Sequence, residues 1–129
     1  MMIMENDYIK QAQNCMEKLH DKPTTSQLRW FLTAVNTVRS KIDVYRDKHG
    51  GKIDVLPTEL ATEVEFLQVK LAYQIGRDSS RNHVMKSFND ETHLMDRIKK
   101  IGNKAKAFDD FTRYVEALVA FHKFYGGKD

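Results

Sequence analysis

The chain has 129 residues, 41% hydrophobic and 30% charged, enough for one hydrophobic core and too few for two of ordinary size. Its 21 Lys and Arg stand against 18 Asp and Glu, a formal charge of +3, so the molecule is no polycation and any nucleic-acid binding must rest on local clustering. Six Gly and two Pro are few for an all-β domain, the single cysteine excludes an intramolecular disulfide and fits a reducing compartment, and no apolar run approaches the roughly 20 residues of a membrane span.

Between Met2 and His20, the residues Ile3, Tyr8, Ile9, Ala12, Cys15, Met16 and Leu19 recur every three or four positions and predict a first helix, closed by Asp21-Lys22-Pro23. Thr24 stands three residues before Gln27, the capping-box spacing. Leu28, Phe31, Leu32, Val35, Val38, Ile42 and Tyr45 then form the buried stripe of a long second helix that stops near His49-Gly50-Gly51. Pro57 is pre-set for the first turn of a third helix, Glu59 complements its dipole, and Leu60, Val64, Leu67, Leu71 and Ile75 share a face until Gly76.

After a loop from Arg77 to Asn82, a fourth helix carries Val84, Phe88, Met95, Ile98 and Ile101. Gly102-Asn103 separates it from a fifth with Phe108, Phe111, Val115, Leu118 and His122, which ends at Gly126-Gly127. There is no internal repeat, low-complexity tract or period-2 strand. The expected fold is all-α: a compact bundle of about five helices forming a single domain over residues 1–129, with residues 1–22, the N-terminal helix, its least specific part. Met1 to Tyr8 lacks the basic start and apolar centre of a signal peptide, so a cytoplasmic protein is expected.

A search for chemistry yields no catalytic set. The chain has no Gly-x-Ser-x-Gly elbow, and Cys15 falls in the apolar stripe of the first helix, as a small buried hydrophobe does. Gly50-Gly51 and Gly126-Gly127 read as helix ends rather than phosphate cradles. Glu17-Lys18-Leu19-His20 has the Glu-x-x-His spacing of di-metal bundles, but a single such motif cannot supply the site. His20, His49, His83, His93 and His122 form no zinc pattern, and His122 sits on an apolar side as a hydrogen-bonded core-edge residue. The chain is therefore expected to be no enzyme and to need no metal or cofactor.

The faces left after packing are more informative. Opposite the core stripe of the second helix lie Arg29, Thr33, Asn36 and Ser40, with Trp30, Thr37 and Lys41 alongside. That face has no acid, carries phosphate-compatible donors, and leaves a tryptophan on its flank to stack on a base or pack on a partner. On the third helix Phe66, Val69 and Tyr73 form a second apolar strip bordered by Lys70 and Arg77; two buried sides suit a central helix, so this strip is assigned to the core. Arg113, Ala117 and Ala120 turn outward on the last helix, where small residues permit close approach. Arg97, Lys99, Lys100, Lys104 and Lys106 crowd the Gly102 junction and read as an exposed basic connector.

Three strings then carry a resemblance: Thr24-Thr25-Ser26-Gln27-Leu28-Arg29, Phe66-Leu67-Gln68-Val69-Lys70-Leu71-Ala72-Tyr73-Gln74-Ile75-Gly76-Arg77, and Tyr114 through Asp129. In this order they resemble the small subunit of type III-A CRISPR effector complexes, the Csm complexes. The chain departs from the family at Ile75, where alanine usually precedes Gly-Arg, and at Trp30, where a polar or basic residue is expected.

The resemblance implies a helical subunit present in a few copies, stacked in a short filament beside the backbone subunits that hold the guide RNA. It also implies a share in lining the target-RNA channel and no catalytic residues, with RNA slicing left to the backbone subunits and DNA cleavage with cyclic-oligoadenylate synthesis to the large subunit. Carried over residue by residue, it implies RNA-backbone contacts at Arg29, Lys70 and Arg77, with Lys41, Arg113 and Lys123 as further RNA-binding candidates. Such a subunit reads phosphate, sugar and shape and leaves sequence to guide–target pairing. The expected partners are target RNA, guide RNA, the backbone and large subunits and copies of itself, with no membrane. The competing reading is a helical adaptor that binds protein only.

Overall fold

The computed structural model describes residues 7–19 and 21–126. Among them are six helices: α1 (Tyr8–Lys18), α2 (Thr25–Lys48), α3 (Thr58–Arg77), α4 (Val84–Thr92), α5 (Leu94–Ile101) and α6 (Ala105–Phe124). The start of the first predicted helix, His20 of the Glu-x-x-His motif and Gly127 lie outside the described residues. The described residues contain no strand; Val55 and Lys104 make an isolated antiparallel bridge.

Local chemistry explains most boundaries. The α2 capping box closes as the spacing predicts: Gln27 N donates to Thr24 Oγ1 at 3.1 Å and Thr24 N to Gln27 Oε1 at 2.8 Å. Its far end stops where Gly50 and Gly51 take φ of 81° and 84°, left-handed values that most residues avoid. Pro57 stands one residue before α3 as its N-cap, instead of inside the first turn, and α3 runs through Gly76 to Arg77.

The expectation of about five helices is corrected to six, because the predicted fourth helix is two. His93 breaks it in the left-handed conformation, φ 57° and ψ 32°, without a glycine or proline to announce the stop. Local hydrogen bonds hold the break. Asn89 Oδ1 accepts from Met95 N at 2.9 Å, capping α5, and Thr92 Oγ1 donates back to Phe88 O at 2.8 Å. Upstream, the α4 amides of Val84 and Met85 donate to Ser80 Oγ and to the Asp78 carboxylate.

The α6 helix packs on α1, α2 and α5, while α3 packs on α2, α4 and α5. Phe108, Phe111, Tyr114, Val115 and Leu118 put the apolar face of α6 in the core, and Phe31 of α2 meets Phe111 edge-on with centroids 6.5 Å apart. Such a T-shaped pair sets a positive ring edge against a negative face. Cys15 is buried, its Sγ donating to Glu91 O at 3.4 Å. His122 is buried as well, and its Nε2 donates to Pro23 O at 2.6 Å, tying the end of α6 to the α1–α2 connection.

The basic connector at Gly102 needs a correction at Arg97. Its side chain folds inward, with the guanidinium carbon 3.8 Å from the Tyr114 ring centroid, Nε donating to Thr92 O at 3.0 Å and Nη2 to Gln11 Oε1 at 2.7 Å. Lys99, Lys100, Lys104 and Lys106 are exposed, as expected, and Lys106 pairs with Asp110 one helical turn on.

Candidate nucleic-acid interface

Helices α2 and α3 are consecutive and lie side by side, with Lys41 against Glu63 near one end and Trp30 against Tyr73 near the other. This antiparallel pairing creates a seam on the outer surface. A cleft of about 470 Å³ opens along it, lined by Ser26, Arg29, Trp30, Thr33, Ala34, Thr37 and Lys70. No carboxylate lines the cleft. Arg29 is exposed and Lys70 half-buried, and neither has an ion pair among the described residues.

The second apolar strip of α3 is not core. Phe66, Val69 and Tyr73 are 51%, 53% and 59% exposed, and Trp30 is 38% exposed. The reason lies in the packing: α3 buries Leu60, Val64, Leu67 and Leu71 against its neighbours, and no further element among the described residues covers the opposite side. Phe66, Lys70, Tyr73 and Arg77 follow one another at steps of three and four residues, so two cations share a helix stripe with two exposed rings. That mixture of cations among aromatics was the sequence signal of a surface rather than a second core face.

The rings are placed with the charges. Trp30 and Tyr73 have centroids 6.4 Å apart and planes inclined by 38°, and the Arg77 guanidinium carbon stands 5.8 Å from the Tyr73 centroid. The fold thus gathers Arg29, Lys70 and Arg77, drawn from two helices, around Trp30 and Tyr73.

The other RNA-binding candidates are elsewhere or engaged. Lys41 lies farther along the seam, where its Nζ donates to Glu63 Oε1 at 2.5 Å; the acid missing from its own helix face arrives from α3. Arg113 and Lys123 belong to α6 and do not line the cleft, and Arg113 donates to the Tyr8 hydroxyl at 3.3 Å. A larger hollow of about 640 Å³ between α3, α5 and the Leu56 segment is lined by both Glu65 and Lys99, so it lacks the uniform positive character of the α2–α3 cleft. Among the described residues, no three His, Cys, Asp or Glu side chains gather as metal ligands, and no helix is long and apolar enough to cross a membrane.

Residues 4–128 match the family described as Csm2 Type III-A. The chain belongs to that family. It is 34% identical over 126 residues to the CRISPR system Cms protein Csm2 of Enterococcus italicus, covering 96% of this chain and 84% of the relative. Proteins of the same name are 29% identical in Streptococcus thermophilus, over 99% of this chain and 98% of the relative, and in Mycobacterium tuberculosis, over 100% and 99%. The resemblance carried by the Thr24, Phe66 and Tyr114 strings is therefore a true family relationship, and the chain is a Csm2-type component of type III-A CRISPR systems.

Proposed function

We propose that this Csm2 family member is a non-catalytic, RNA-binding scaffold subunit of a cytoplasmic type III-A RNA-guided complex. It stacks with copies of itself in a short filament beside the backbone and large subunits and helps to hold target RNA along the guide, in antiviral defence. The observation that carries the RNA reading is the convergence of Arg29, Lys70 and Arg77 on one seam without an acid in its cleft. Cations spaced along two adjacent helices can follow a phosphate backbone without reading bases. The sequence offers no nucleophile elbow or phosphate cradle, which supports the non-catalytic part. RNA incubated with the purified chain and magnesium or manganese is expected to stay intact.

A second reading, an adaptor that binds only protein, is favoured by the exposure of Phe66 and Val69. One experiment separates the two. Reconstituted complexes carrying Arg29→Glu, Lys70→Glu and Arg77→Glu together are compared with wild type for target-RNA affinity over a range of salt, at verified stoichiometry. At about −0.7 per phosphate on a single strand, three contacts per subunit give a slope of log affinity against log salt of roughly −2. Stacked copies multiply that contribution, so the triple variant loses both affinity and slope. Unchanged affinity and slope in an intact complex would assign the seam to a protein partner.

A further inference from the structure

The exposed ring pair asks for more than charge, since phosphate neutralisation needs no aromatic surface. We propose that Trp30 and Tyr73 form a base-stacking step between the cations of the α2–α3 seam, so that the seam takes single-stranded nucleic acid with an unpaired base lying on the rings. This rests on the RNA-binding reading and extends it from the backbone to the bases.

The geometry decides how a base fits. A base sandwiched between two rings needs about 7 Å between them, twice an ordinary van der Waals contact. The Trp30 and Tyr73 centroids are 6.4 Å apart and the planes are inclined by 38°, so nothing flat fits between them. Both rings keep solvent-exposed surface, however, Trp30 38% and Tyr73 59%. A base therefore lies on the outer surface of the step. Arg29 lines the same cleft as Trp30, and the Arg77 guanidinium carbon lies over the Tyr73 ring, 5.8 Å from its centroid. Each ring thus has a cation nearby, and a nucleotide brings a base and a phosphate together.

Charge selects the occupant. A protein segment would have to bring carboxylates to the cations and apolar side chains to the rings in matching order, whereas every nucleotide of a strand brings an anion and a flat π-face together. In a duplex the base faces are already stacked on their neighbours, so a paired strand offers the seam only phosphates, and along the guide it is a position left unpaired that offers a base to the step.

Trp30 is the chain's only tryptophan, so intrinsic tryptophan emission reports on the step directly. The full chain is titrated at low salt with three probes: single-stranded polyuridylate, an abasic ribose-phosphate strand of the same length, and a fully paired RNA duplex. Polyuridylate should quench Trp30 and bind about 5- to 150-fold more tightly than the abasic strand, the worth of one stacked base. The abasic strand and the duplex should leave the emission nearly unchanged, and the abasic strand should keep the same salt slope as polyuridylate. Tyr73→Ala should bring polyuridylate down to the abasic affinity without altering that slope, and Tyr73→Phe should restore the difference.

Equal affinity and equal emission change for the base-bearing and abasic strands would overturn the stacking step while leaving the phosphate contacts standing. Absence of binding by every strand would overturn both. Emission that responds only to another protein subunit of the complex, and not to RNA, would overturn the step in favour of a protein contact.

Discussion

Replacing Arg97 by alanine is expected to destabilise the fold by about 3 kcal/mol, although Arg97 lies in a run of otherwise exposed basic residues. The guanidinium joins three parts of the bundle: Gln11 of α1 at 2.7 Å, the Thr92 carbonyl at the α4–α5 break at 3.0 Å, and the Tyr114 ring of α6 at 3.8 Å. Hydrogen bonds involving a charged group contribute more than neutral ones, but this half-buried side chain remains within reach of water, which lowers each to about 1 kcal/mol. A partly desolvated cation over a ring contributes about 1 kcal/mol more. The Tyr114 hydroxyl, whose ionisation is opposed first by burial and then by its hydrogen bond with Cys15, donates to the same Thr92 carbonyl at 3.2 Å. Loss of Arg97 thus leaves that acceptor with one donor fewer inside the bundle. With a urea m-value of about 2 kcal/mol per M, the unfolding midpoint should fall by about 1.5 M at unchanged m. Arg97→Lys keeps the charge but not the planar fork, and should lose about half as much. Lys99→Ala and Lys100→Ala, exposed neighbours, should stay within about 0.5 kcal/mol of wild type. An Arg97→Ala midpoint no lower than that of Lys99→Ala would refute the argument that Arg97 clasps the bundle.

Other perturbations test separate features. Burial pushes the Asp78 carboxyl upward, but hydrogen bonds from Met85 and Ser80 and from the Gln27 side chain outweigh it and hold the group below its ordinary 3.8. Its contribution is therefore present above that value and lost as pH falls through the lower folded-state value. Asp78→Ala should cost about 0.5–2 kcal/mol at neutral pH, as a lost helix cap does, and the gap from wild type in denaturant melts should close in strong acid; a gap independent of pH would contradict the assignment. At His93, φ 57° is strained for an L-residue, so thermal melts should rank Gly at or above His, with His93→Val lower by about 1–2 kcal/mol. An indifferent Val variant would show that the break is not held in the left-handed region. Gln74 is 4% exposed and its Nε2 has no hydrogen-bond partner among the described residues; Gln74→Met should raise stability by about 1 kcal/mol, or roughly 4 °C in Tm. A lower Tm would mean that the amide is anchored.

Period and punctuation made most of the helical architecture readable in the chain itself. Leu28, Phe31, Val35, Val38 and Ile42 recur at helical spacing and are buried, Thr24 and Gln27 form the predicted capping box, and Gly50-Gly51 ends α2. The break at His93 escaped because its causes are side-chain hydrogen bonds, one accepted by Asn89 and one donated by Thr92, rather than a glycine or proline. An apolar period continues across such a break, because Met95 and Ile98 lie at helical spacing from Phe88 whether or not the backbone is interrupted.

The candidate site was half legible for a related reason. Local periodicity determines which residues share a helix face, and it placed Arg29 on the acid-free face of α2 with Trp30 on its flank, and Lys70 and Arg77 beside a strip of Phe66, Val69 and Tyr73. It does not determine which neighbouring element covers that face, because coverage depends on contacts between residues distant in sequence. Only the tertiary structure leaves the α3 strip open to solvent, brings Tyr73 to Trp30 and Lys70 to the cleft beside Arg29, and turns Lys41 toward Glu63. The same holds for Arg97, a surface cation by its lysine-rich neighbourhood, which reaches Tyr114 and Gln11 only because α1, α5 and α6 converge around it. Helical identity was decided within a few turns of chain; exposure, charge pairing and the makeup of the seam were decided by which helices meet.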